Sequence, residues 1–146
     1  MFFKYVFALS LMAHAYSKVD PYPLLQSATE LLVNKKWVMT SYGFDENGND
    51  RVDLMEERIE DCEKDDTYEF FAGGVGVMSD NSFSCCNGID EQRFHWKFCN
   101  SGQGLLIFSD TIGITRLTTH ELITHKKLSY AGGPVLNLIT VYKILK

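Results

Sequence analysis

The stretch "QRFHWKFC", residues 92–99, sets Phe94, Trp96 and Phe98 at alternate positions against His95, Lys97 and Cys99. Successive side chains of a strand point to opposite faces, so this spacing describes a strand with one buried, aromatic face and one wet face. The segments downstream have similar length. "GLLIFSD" (104–110), "TIGITRL" (111–117), "HELITHKKL" (120–128) and "VLNLITVYKIL" (135–145) are divided by Ser101-Gly102, Asp110 and Gly132-Gly133-Pro134. Upstream, "GVGVMS" (74–79) and "TYEFF" (67–71) flank the Gly73-Gly74 break. Earlier still, "KKWVMTSYGF" (35–44) and "RVDLMEER" (51–58) flank "DENGND", whose Asn47-Gly48 pair is a hairpin signal, with Val52 and Leu54 alternating against Asp53. Eight or nine short strands at near-regular intervals predict an all-β antiparallel barrel or sandwich.

One segment has a different period. In "PLLQSATELLVN" (23–34), Leu24, Leu25, Ala28, Leu31 and Leu32 recur at spacings of three and four behind Pro23, which predicts a short amphipathic helix that packs on something larger. Before it, "MFFKYVFALSLMAHAYSK" carries Lys4 in an apolar run to Ala13, then the small-x-small pattern Ala13-His14-Ala15. That is the layout of a secretory signal peptide, with cleavage expected after Ala15. The run is shorter than the roughly 20 residues that span a bilayer, and no other apolar run reaches that length, so no integral membrane span is expected. At 146 residues and 45% hydrophobic content the chain suits one domain with a real core.

Export changes the meaning of Cys62, Cys85, Cys86 and Cys99. An even cysteine count outside the cytosol reads as two disulfides, and the adjacent Cys85 and Cys86 fit no common zinc spacing. A bridge between those neighbours would be strained, so Cys62 is expected to pair with Cys85 or Cys86, leaving the other to Cys99. Charge excludes another class. With 14 basic against 19 acidic residues, densest from Asp45 to Asp66, the chain lacks the basic patch that a nucleic-acid partner requires.

Several of these residues together resemble the bacterial lipocalin-like domain family. They are Lys36-Trp37 after a short helix, the element "CEKDDTYEF" (62–70), a later "HWKF" (95–98) and "GLLIF" (104–108). The most specific part is Cys62, Lys64, Asp65, Asp66, Tyr68 and Phe70, and the likeness runs from Lys36 to Ile144. It implies a small up-and-down β-barrel of about eight strands at 36–146, after a signal peptide at 1–15 and a lead-in with the short helix at 16–35. The sequence departs from the family in two places. Many members carry an N-terminal cysteine for lipid anchoring, absent here, so release to the periplasm or medium is expected. Cys86 and Cys99 also go beyond the single pair the family would suggest.

Motifs that could carry chemistry have weaker claims. His120 and His125 in "HELITH" stand five apart, which puts them on different faces of a helix or of a strand. "DENGND" starts like a calcium loop, but Asp50 occupies the glycine position. Adjacent Asp65 and Asp66 point apart in extended chain; they are expected to accept backbone N–H groups in a turn before "TYEFF". No nucleophile elbow or phosphate-cradling loop is present. Neither catalysis nor a metal or cofactor is expected. The interior of the barrel is then the candidate site, with Trp37, Tyr68, Phe70, Phe94, Trp96, Phe98 and Tyr142 facing a small hydrophobic ligand, joined by Ile112 and Ile114. Tyr42, Tyr68 and Tyr142 are the candidate polar anchors. The alternative is a barrel filled by its own side chains, acting as a non-catalytic protein-binding or envelope-accessory module through its loops.

Overall fold

Period-two alternation is realised as eight strands among the described residues: β1 (Lys36–Asp45), β2 (Thr67–Phe71), β3 (Val75–Ser79), β4 (Glu91–Cys99), β5 (Gly104–Ile107), β6 (Asp110–Leu117), β7 (Glu121–Ser129) and β8 (Val135–Ile144). The computed structural model describes residues 22–81, 91–129 and 133–146, with backbone alone for 22–26. The expected signal peptide at 1–15, and Cys85 and Cys86, lie outside these residues. Each strand pairs antiparallel with its neighbours in sequence, and β1 closes on β8, so the sheet is a closed up-and-down barrel with no free edge. Irregularities between Met39 and Ser41 and between Ile114 and Arg116 bend β1 and β6, as closure of a small barrel demands.

One end of the barrel is plugged. Helix α1 (Tyr22–Leu32) ends where Asn34 turns left-handed at φ 56°, a usual way for a helix to stop, and the Lys35 ammonium donates to the carbonyls of Glu30 and Leu31. Leu32 is fully buried under the barrel floor, and the Trp37 indole Nε1 donates to the Leu32 carbonyl at 2.9 Å. The Asn34 amide donates to the Phe70 carbonyl at 2.8 Å, which ties the helix exit to β2. The core of Leu32, Trp37, Phe70, Phe94, Trp96, Leu105 and Leu122 runs from this plug into the barrel interior. Among the described residues no helix is long and apolar enough to cross a membrane.

The expected hairpin at Asn47-Gly48 does not form. Residues 46–66 are a long loop that touches the sheet as a strand would only at the Gly43–Glu57 bridge, and "RVDLMEER" is no strand. Side-chain acceptors outcompete a ladder here. Asp45 accepts the amides of Asn49 and Asp50 at 2.9 and 3.0 Å. Glu56, 5% exposed, accepts those of Glu46, Asn47 and Asp53. Leu54 and Met55, which the alternation would divide between two faces, are 88% and 86% exposed. The loop also serves β1. Because β2 pairs with β1 only as far as Val38, Glu57 accepts the Tyr42 amide at 3.0 Å and the Arg58 amide donates to the Tyr42 carbonyl at 2.7 Å.

Candidate functional site

The register fixes which side chains face inward. Trp37 opposes Tyr68, Tyr68 opposes Met78, Gly76 opposes Phe94, and Phe98 opposes Leu105, so all of these share the inner face. Phe94 lies over Gly76, where an added Cβ would come within 2.3 Å of the ring. That close approach is why glycine suits the position. Inward direction and access to space are separate matters, however. The interior holds a cavity of about 220 Å³, set away from α1, with Tyr68, Phe70, Phe94, Leu105, Phe108 and Tyr142 in its lining.

Four of the seven candidate interior residues, Tyr68, Phe70, Phe94 and Tyr142, reach this cavity. Trp37, Trp96 and Phe98 do not. Trp37 is sealed under α1, while Trp96 donates to the Val75 carbonyl at 3.0 Å and packs edge-on against Phe98 and Phe70 at 5.6 Å. These three make the floor. Ile112 lines the cavity, whereas Ile114 and Tyr42 do not. Met78, Leu105, Ile107, Leu122 and Thr124 line it as well; the alternation of "GLLIF" and "ELITH" could have supplied most of them. Nothing in the sequence marked Phe108 or Asp110.

Two of the polar groups in the cavity lining are phenols. Tyr68 and Tyr142 meet edge-on with ring centroids 5.3 Å apart. Burial, then the nearby charges of Asp66 and Glu63, pushes the Tyr68 hydroxyl up to about 12, and burial with Tyr68 and Tyr42 alongside raises Tyr142 further. Both stay protonated at neutral pH and can donate a hydrogen bond as well as accept one. Thr124 adds a buried hydroxyl, and Asp110 pairs with Lys126 at 2.9 Å.

At Asp66 the acidic turn before β2 differs from expectation. Instead of holding a backbone amide, Asp66 faces Asp80, since Thr67 opposes Ser79 and the two aspartates come next in register. Partial burial, then the charges of Asp80, Asp65 and Glu63, raises the Asp66 carboxyl to about 6. A carboxyl that binds its proton more tightly when folded adds stability below its unfolded value near pH 4, and that stability is lost as pH rises through about 6. Asp66→Asn should therefore stabilise the protein at pH 7.5, by about 1 kcal/mol once solvent screening is allowed for, and have little effect at pH 4. Urea unfolding at both pH values checks this; an equal effect at the two would refute it.

The remaining candidates are dispersed. His125 stands on the outer wall with Nδ1 2.9 Å from the Thr115 hydroxyl, and His120 is exposed in the β6–β7 turn. Among the described residues no group of three or more His, Cys, Asp or Glu side chains is placed to hold a metal ion. Cys99 is a free thiol, contrary to the expected second bridge. It opposes Gly104, and its sulfur fills the space that glycine leaves, 2.8 Å from where a Cβ would stand. No protein-family model matches the chain, and no curated protein matches it.

Proposed function

We propose that this chain is an exported, lipocalin-like barrel that binds a small, largely apolar molecule without transforming it. The observation that carries the reading is the cavity of about 220 Å³, walled by aromatic and aliphatic side chains and furnished with two protonated phenols. Its size narrows the ligand. Pockets for drug-sized molecules run from about 300 to 1,000 Å³, whereas an apolar cavity of about 150 Å³ accepts benzene. A single ring or a short chain fits here, and a long acyl chain does not. Burial of apolar surface, worth about 25 cal/mol per Å², drives uptake, and Tyr68 or Tyr142 orients a polar substituent.

Export is supported by the N-terminal pattern, an apolar run followed by Ala13-His14-Ala15. A disulfide from Cys62 to Cys85 or Cys86 belongs to the same reading; it would staple the acidic turn to the β3–β4 connection. A thermal-shift panel tests the binding reading. Phenol at 100 times its dissociation constant should stabilise the protein by about 2.7 kcal/mol, while palmitate should not. A barrel that acts only through its loops predicts no shift with any single-ring compound.

A further inference from the structure

Phe108 breaks a local rule. It is the first of two residues joining β5 to β6, where Ile107 pairs with Asp110, and its backbone is left-handed at φ 56°. Two-residue hairpins ordinarily place glycine or asparagine at such a position, because a Cβ makes left-handed backbone unfavourable and a bulky side chain most of all. Strain of this kind persists where the surroundings hold it, and it is characteristic of functional positions. Here the ring lines the cavity while 52% of the residue faces solvent. Its one aromatic neighbour among the described residues is Phe94, at 5.4 Å with the planes inclined by 40°.

The backbone around it is pinned. The Phe108 amide donates to the His95 carbonyl at 3.3 Å, and on the other side of the turn Asp110 is held by Lys126. Motion at this point is therefore left to the side chain, which has one ring contact to lose and open solvent to turn into. The turn lies at the end of the barrel away from α1, beside the beginning of β6 and the end of β5, where the cavity is not plugged by the helix.

We propose that Phe108 is the size-determining gate of the cavity: its ring rests on Phe94 to close the entry, swings outward to admit a single-ring or short-chain molecule, and bars broader ones. This rests on the binding reading above. Three proteins separate the two: the wild type, Phe108→Ala and Phe108→Gly, the last suited to the left-handed backbone and so a safeguard against misfolding. Stopped-flow fluorescence with phenol and with 1-naphthol, followed through the tryptophans, gives the rates. Loss of the Phe94 contact should speed phenol association and dissociation by roughly three- to tenfold in both variants. Both variants, unlike the wild type, should take up 1-naphthol. Phenol binding at the same rates in all three proteins, with 1-naphthol still excluded, overturns the gate and leaves the binding reading standing. Failure of all three to bind either probe overturns the binding reading and the gate together.

Discussion

Trp37→Ala should cost about 4 kcal/mol of unfolding free energy and release α1 from the barrel. The indole is fully buried at the junction of helix, β1 and β2, so truncation leaves a cavity at the meeting of the three elements. It also removes the Nε1 donor from the Leu32 carbonyl, a helix C-terminal acceptor that the intrahelical ladder does not satisfy. Trp37→Phe separates the two effects. It keeps most of the ring volume and loses the hydrogen bond, so it should cost about 1 to 2 kcal/mol. Urea unfolding followed by circular dichroism gives the free energies, and hydrogen exchange at residues 29–33 reports the helix. Unaltered protection there in Trp37→Ala would mean that the plug is held by something else.

Glu56→Ala has the second largest expected effect, about 3 kcal/mol, although the residue sits in a loop. One carboxylate accepts three backbone amides, from Glu46, Asn47 and Asp53, and it does so from a buried position. Without it those donors must find water or stay unpaired, and the loop loses the closure that lays Glu57 and Arg58 against β1. Glu56→Gln retains one side-chain oxygen and exchanges the other for a donor that faces the Asp53 amide, so it should fall between the wild type and Ala. A urea midpoint for Glu56→Ala equal to that of the wild type would show that the loop is closed by other groups.

These two residues also show what could be read in the chain beforehand. Trp37 was legible: an aromatic that opens a strand after a short amphipathic helix has few places to go but inward, and the register bears this out. That the chain is a series of short antiparallel strands was legible too, because the alternating runs end at turn residues, although these runs alone suited a barrel and a sandwich equally. Glu56 was not legible, since its burial depends on amides that only the folded loop brings to it. "RVDLMEER" alternates like a strand, yet Leu54 and Met55 both point to water. Alternation specifies a face and says nothing of depth along the barrel, so Trp96 and Phe98 were assigned to the cavity with the same warrant as Phe94 although they form the floor. Phe108 gave no signal because side-chain period is lost in a two-residue turn.

The closing seam of the barrel has a consequence for how the chain acquires its structure. β1 meets β8 over most of its length but β2 over only three residue pairs, and the Thr40 hydroxyl reaches a carbonyl, that of Val141, 101 positions away. The first strand thus waits for the last one to be synthesised before its principal partner exists. Until then its edge is a template for any other extended chain, and closing so large a loop is slow compared with forming the hairpins between. The same seam that leaves the finished barrel without an edge makes the half-made one prone to aggregate, so a chaperone that shields β1 during synthesis should raise the yield more than one that acts after release.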